Sequence, residues 1–278
     1  MIFAVSIHQS LVSIRKQAKG QCLIDVDEQI QVFSVYRNNM GLMYWQINDI
    51  WQAPTWSTIE YNLKWKMAHY YVQHMYSPVY PIIRVTPYLP SANDENAKIS
   101  FYLANDHSDA VQGQMTCSLL TPDRFSVRLS FVYDLSMNSA GVQNVADLSY
   151  SMLTKRAGCD DNDPCLVHCT FNGNNGIEIG QTAFLTRPKN YKLYPSDIQI
   201  QSINQKSPMD FDIVLTANRP ALFVWLEALN SVRGYFSHNG FHMLEPNRIV
   251  SFHTWEPMSL GSMNLNVSIT TLFDVTMP

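Results

Sequence analysis

The chain has 278 residues, of which 46% are hydrophobic, 12% aromatic and only 15% charged. A disordered or polyelectrolyte chain needs the opposite balance, since it must lack the apolar surface that drives collapse. The formal net charge is −4 with a pI near 6.0, and Lys and Arg form no cluster, which argues against nucleic acid or an anionic membrane surface as partner.

The length suggests two domains, or two and a remnant. No apolar run reaches the roughly 18 residues that span a bilayer. Residues 1–8 carry no basic residue ahead of their apolar stretch, and His8 and Gln9 interrupt it, so the opening reads as an interior helix or loop rather than a secretory signal. Residues 17–35 have the outline of a helix with Asp25, Asp27 and Glu28 on one side. Residues 40–47, an unbroken apolar run, read as a strand buried on both faces. Ser57 and Glu60 have capping-box spacing. Leu63, Met67, Tyr71 and Met75 recur at helical spacing, predicting a helix over 64–76 that ends before Pro78.

Beyond Pro78 the pattern changes to alternation: Ile99, Phe101 and Leu103; Met115, Cys117 and Leu119; Phe125, Val127, Leu129 and Phe131; Phe211, Ile213 and Leu215; Leu265, Val267 and Ile269. Strands with one buried and one wet face read this way. Pro81, Pro87 and Pro90 read as punctuation ahead of them, and 172–176 and Asn239-Gly240 as turns. The fold class is therefore mainly β. Two sandwiches, 78–193 and 194–278, follow a mixed segment at 1–77.

Cys159, Cys165 and Cys169 lie within eleven residues, with Cys22 and Cys117 elsewhere. Bridges or buried thiols suit this set better than a metal, because no Cys-x-x-Cys occurs and His168 and Cys169 would point to opposite faces of a strand. Asn266-Val-Ser268 is a glycosylation sequon. His107, His168, His238, His242 and His253 are scattered, and the His238/His242 pair spans a turn, so all are read as structural. Asp160-Asp-Asn-Asp163 lacks the glycine and distal glutamate of a calcium loop and reads as a solvated turn. Trp225 and Trp255 lie in apolar strand patterns and read as core anchors.

The most informative segment is 40–56, an apolar strand ending in Trp45, Gln46, Asn48, Asp49, Trp51 and Trp56. Aromatic faces cover the C–H surface of a sugar and short polar side chains bond its hydroxyls, so this composition suits a carbohydrate surface better than a core. The run Tyr44-Trp-Gln-Ile-Asn-Asp-Ile-Trp-Gln-Ala-Pro-Thr-Trp-Ser57, followed by Lys64-Trp-Lys-Met-Ala-His-Tyr70, resembles the end of the catalytic barrel of lysosomal-type β-mannosidases of glycoside hydrolase family 2. Ile47 replaces the usual leucine of their Trp-Gln-Leu-Asn-Asp-x-Trp motif. Phe223-Val-Trp-Leu-Glu227, Gly234-Tyr-Phe-Ser-His-Asn-Gly-Phe241 and Trp255-Glu-Pro257 resemble the closing immunoglobulin-like domain of the same enzymes.

This resemblance implies that residues 1–77 are the last strand and helix of a (β/α)8 barrel, followed by two immunoglobulin-like sandwiches. It implies that Trp45 walls the mannosyl subsite, that Asn48 and Asp49 support its polar edge, and that Trp51 and Trp56 belong to the same substrate-binding surface; locking the loop is the alternative role for Asp49. It implies β-mannoside glycans as partners, a lysosomal location, and no metal or cofactor. Retaining glycosidases need two carboxylates roughly 5 to 5.5 Å apart. Glu28, Glu60, Glu95, Glu178, Glu227, Glu245 and Glu256 are the glutamates present, and none stands in the family's acid/base or nucleophile context. The chain alone is expected to be inactive, with both glutamates on a missing N-terminal part of the enzyme. The alternative is a standalone carbohydrate-binding or structural β-sandwich protein. A lone barrel segment is also expected to leave Leu63, Met67 and Tyr71 exposed unless it packs on the first sandwich or another chain completes it.

Overall fold

The computed structural model describes residues 2–3, 44–52, 55–87, 90, 94–138, 140–229, 232–258 and 266–276. The helix expected at 17–35, residues 40–43 of the expected strand, and Cys22 lie outside these. Strand β1 (Ile2–Phe3) pairs in parallel with β2 (Tyr44–Trp45), which corrects the reading of the opening residues as helix or loop.

Helix α1 (Met67–Met75) starts later than its periodicity predicts, because Trp65 bridges back to Ile59 and Lys66 is still extended. Ser57 and Glu60 do not cap it. The Glu60 N–H instead donates to Lys64 O (2.8 Å), closing a turn in which Leu63 has a φ of 70°.

The next stretch builds two antiparallel sheets. One has three strands, β3 (Val79–Thr86), β4 (Lys98–Asn105) and β7 (Gly141–Ser149), in the order β3-β4-β7. The other comprises β5 (Val111–Leu120), β6 (Val127–Met137), β8 (Leu166–Gly173) and β9 (Glu178–Phe184), in the order β6-β5-β8-β9. Ile99, Phe101 and Leu103 face Met115, Cys117 and Leu119 across the interior, and none of the six is exposed. Pro81 sits inside β3 rather than ahead of it. It is tolerated because β3 is an edge strand, bonded only to β4. Phe125 stands outside β6 and packs against the second core instead.

Helix α2 (Tyr150–Ala157) has no counterpart in the sequence reading. The Ser149 hydroxyl accepts from the Met152 N–H (3.4 Å), and Gly158 ends the helix at a φ of 67°. A disulfide joins Cys159 to Cys165 across the Asp160 turn, where the Asp160 carboxylate accepts the N–H groups of Asn162 and Asp163. Cys169 does not bridge within its own cluster. It pairs with Cys117, directly opposite on the neighbouring strand, with the Cα atoms 4.0 Å apart.

The last stretch repeats the plan. Strands β10 (Ile198–Gln205), β11 (Asp210–Ala217), β13 (Gly234–Phe236) and β15 (Asn247–Thr254) form one sheet in the order β10-β11-β15-β13. Strands β12 (Ala221–Ala228), β14 (Phe241–Met243) and β16 (Val267–Thr270) form the other, followed by α3 (Leu272–Thr276). Every second residue of β11 turns inward, placing Phe211, Ile213 and Leu215 against Val250, Phe252 and Phe236. Trp225 lines the edge of this core, while Trp255 lies under the Arg233 guanidinium, 5.0 Å from its ring centre.

Helix α1 is wedged between the two sandwiches. Tyr70 enters the second core and its hydroxyl accepts the Phe236 N–H (3.2 Å), while Tyr71 donates to Gly240 O (2.9 Å). On the other side the His74 ring reaches Gly180 O in the first sandwich (2.6 Å). Packing on a sandwich is the condition under which Leu63, Met67 and Tyr71 would be covered; here both sandwiches cover Met67 and Tyr71, and Leu63 stays exposed. Below the helix, Leu120, Leu166, Phe184 and Tyr191 of the first sandwich pack on Leu222, Phe223, Leu272 and Val275 of the second. At its centre the rings of Phe184 and Phe223 stack at 5.8 Å.

Candidate functional site

Residues 44–66 form a ribbon of short bridges. Asn48 pairs with Ile59, and Ile59 with Trp65. Backbone bonds from Asp49 to Ile59 O (2.9 Å), from Ile59 to Ile47 O (2.9 Å) and from Lys66 to Thr58 O (2.9 Å) tie it together. With so few ladder bonds, side chains must hold the shape.

Asp49 does most of this. Its side chain is buried, forms an ion pair with Lys66 Nζ (3.0 Å) and accepts hydrogen bonds from the hydroxyls of Ser57 (2.5 Å) and Thr55. Lys66 also donates to Ser57 Oγ (2.7 Å). Burial alone would raise the Asp49 carboxyl, but the bonds from Ser57, Thr55 and Lys66 and the Lys66 charge together hold it below the usual carboxylate range. Asp49 is thus turned inward as a lock on the loop, not outward along the polar edge of a subsite. The Thr58 hydroxyl, bonded to Ile47 O (3.0 Å) and His69 Nδ1 (2.9 Å), ties the ribbon to α1.

The other proposed substrate-binding residues face outward. Trp45, Trp51 and Trp56 are 64%, 65% and 47% exposed, and Asn48 is exposed between them, with its amide donating to Asp49 O (3.1 Å). Ile47, Ile50, Tyr61 and Leu63 extend the surface. The ribbon thus exposes aromatic, aliphatic and amide side chains and keeps its charge pair buried. Exposed rings of this kind can stack on C–H surfaces and an exposed amide can bond hydroxyls, while Asp49, engaged by Lys66, Ser57 and Thr55, offers no free carboxylate for acid or nucleophile work.

Sequence reasoning missed Thr55, Ser57 and Lys66. The sequence offers one weak signal: no cation occurs between Asp49 and Lys64, so Lys64 and Lys66 are the first cations that follow Asp49 in the chain. The face also has a support that the sequence did not reveal. Trp65 stacks on Tyr235 (4.4 Å, 16°), Lys64 pairs with Glu227, and a Cβ on Gly240 would stand 2.7 Å from Met67. The two motif-bearing segments, far apart in the chain, therefore meet.

The histidines serve packing. His168 lies between the Thr182 (2.9 Å) and Thr170 (3.1 Å) hydroxyls, and His242 Nδ1 accepts the Phe223 N–H (3.2 Å) beside the rings of Phe184 and Phe223. Burial pushes His168 down to about 4 and His242 to about 3, with Arg248 adding to both and His168 to His242. His253 faces Asp210 (2.7 Å). Among the described residues no group of three or more His, Cys, Asp or Glu is placed to hold a metal.

Residues 195–275 match the Ig_mannosidase model, an Ig-fold domain. The β-mannosidase of Rattus norvegicus is 31% identical over 252 residues, covering 86% of this chain, and that of Bos taurus is 31% identical over 242 residues, covering 85%. The chain is related to the β-mannosidases. It spans about a quarter of their length, 26% in each case. Its fold also matches the crystal structure of a β-D-mannosidase from Dictyoglomus thermophilum, with a TM-score of 0.72 at 15% identity over 97% of this chain and 31% of that one. Relationship and fold agree with a mainly β chain of immunoglobulin-like sandwiches.

Proposed function

We propose that this chain is the C-terminal part of a retaining β-mannosidase that removes terminal, non-reducing β-D-mannose from glycans. Residues 1–77 would be the end of its (β/α)8 barrel, with sandwiches at 78–193 and 194–278. The observation that carries the reading is the outward set of Trp45, Asn48, Trp51 and Trp56 on a loop locked from behind by Asp49 and Lys66. Barrel active sites lie at the C-terminal ends of the strands, and this loop follows the Tyr44–Trp45 strand. The division of labour is then simple: this chain supplies a sugar-facing wall and the rest of the barrel supplies both carboxylates. Passage through an oxidising compartment towards the lysosome fits two disulfides and the exposed sequon residue Asn266.

The test uses the purified 278-residue chain. It should release no nitrophenol from an aryl β-mannoside, and hydrolysis traceable to this chain alone would overturn the division of labour. With the rest of the barrel supplied, mannose or manno-oligosaccharide should quench the tryptophan fluorescence in a way that Trp45→Ala and Trp51→Ala abolish. No sugar-dependent change at these residues, even with the barrel supplied, would overturn the site. The packing of α1 between the two sandwiches, which anchors the barrel-like segment within this chain, favours a second reading, a standalone carbohydrate-binding or structural β-sandwich protein without catalysis. Tight binding by the isolated chain would select it.

A further inference from the structure

We propose that the C-terminal sandwich braces the aromatic loop, with Tyr235 as the positioning residue. The argument starts from residues 64–66. Their side chains alternate between two bodies: Lys66 reaches into the loop to Asp49 and Ser57, while Lys64 and Trp65 reach the last sandwich at Glu227 and Tyr235. One short extended segment thus has the loop on one side and a finished domain on the other.

The Trp65 ring is the joint. One face stacks on Tyr235, and its surroundings are completed by edge contacts with His69 (4.5 Å) and Tyr70 (5.2 Å). His69 in turn meets Thr58 through Nδ1, so the rings around Trp65 also connect to the middle of the ribbon. Tyr235 is itself held firmly. It lies on β13, opposite His253 of β15, with the two rings 5.2 Å apart and His253 bonded to Asp210. The loop has no comparable framework of its own, since its backbone bonds are few and its large side chains point to solvent. The Asp49–Lys66 lock shapes the loop from within, and the sandwich behind Trp65 fixes where that locked loop sits. A flat ring at 235 is required, whereas the tyrosine hydroxyl is dispensable.

This inference gives the proposed sugar surface its rigidity and rests on that reading only for its functional meaning. Hydrogen exchange on the full 278-residue chain tests it without any sugar. The reporting amides are Asp49, Thr58, Ile59 and Lys66, with β4 and β5 as controls. Tyr235→Ala should speed exchange of the four loop amides by about tenfold while the controls keep their rates, as loss of one aromatic stack implies. Tyr235→Phe should restore protection. Should the alanine variant fold poorly, Tyr235→Leu, which keeps apolar bulk without a ring face, should give the same local loss. Unchanged loop exchange in the folded alanine or leucine variant overturns the brace. So does an equal rise across both sandwiches, or failure of phenylalanine to restore protection. Loss of sugar binding with intact loop protection would instead count against the sugar surface and leave the brace standing.

Discussion

In β11, Phe211, Ile213 and Leu215 are fully buried, whereas in the 44–66 segment Trp45, Ile47, Ile50 and Trp51 are each more than half exposed. Both regions are rich in large apolar residues, and both are ordered by partners distant in sequence. The difference lies in what each leaves uncovered. The sandwiches bury their apolar faces against each other and against α1. The segment buries a charge pair and shows its rings to solvent. Each such side chain left in water forgoes roughly 1.5–3 kcal/mol of burial, so several of them on one short segment point to a role outside the folding of this chain.

The strongest way to break this contrast is to truncate one residue of each kind. Phe211→Ala should cost about 3–5 kcal/mol by leaving a cavity in a closed core, read as a drop in the urea midpoint. Trp51→Ala should move the same midpoint by less than about 0.5 kcal/mol. Equal losses would mean that the loop is part of the core and that its exposed face has no separate role.

The disulfides sharpen the comparison within the first sandwich. The Cys117–Cys169 bridge closes a separation of 52 residues and Cys159–Cys165 one of 6. Chain-entropy reasoning assigns them about 4 and about 2 kcal/mol respectively. Replacing each pair by alanine and measuring denaturant midpoints should reproduce that order. The reverse order would show that the short bridge holds native structure rather than restricting the unfolded chain.

These contrasts were unevenly legible in the sequence. Alternation at 99–103, 115–119 and 211–215 exposed the sandwich interiors, because a period of two carries burial directly. The α1 face was visible for the same reason at helical period. Tyr70 as a member of the second core was not visible, since nothing local shows which distant domain a helix will meet. Asp49 and Cys169 were legible only in part, for a related reason. Composition identified them as special, but their partners, Lys66 and Cys117, are set by how the chain returns on itself. The outward tryptophans were readable because polar residues interleaved them, which a core strand would not tolerate.

Acid offers a probe of the packed junction, with a lesser contribution from His69, which burial also holds below its usual value beside Thr58 of the loop. His242 is held neutral by burial and by accepting the Phe223 N–H, so its folded value of about 3 lies below the ordinary 6.5. The unfolded chain then binds the extra proton first, and stability falls as the pH drops from about 6.5 towards 4, by up to about 1.4 kcal/mol per pH unit for one such group. His168 acts in the same direction. His242→Asn keeps an acceptor near the Nδ1 position without a titratable proton, so it should flatten the slope of stability against pH. An unchanged slope would place the acid sensitivity elsewhere. Asp49 responds in a lower window, because its depressed carboxyl loses its contribution only as the pH falls below about 3.8 and through its folded value.

The smallest expected effect concerns the link between the two regions. Lys64 and Glu227 are each about one-third exposed, in contrast to the buried Lys66–Asp49 pair. Water and salt screen the outer pair, so Glu227→Gln should cost no more than about 1 kcal/mol and the loss should shrink in high salt. Lys66→Met instead leaves a buried carboxylate without its cation, a defect of about 3–5 kcal/mol that salt cannot reach. The loop can relieve that strain by opening locally, so the second variant should show its effect first as rapid exchange at Asp49 and Ile59, before the midpoint of the sandwiches moves. Were Glu227→Gln to release the loop as fully as Lys66→Met, the outer ion pair, rather than the Trp65–Tyr235 stack, would be the element that joins the exposed face to its support.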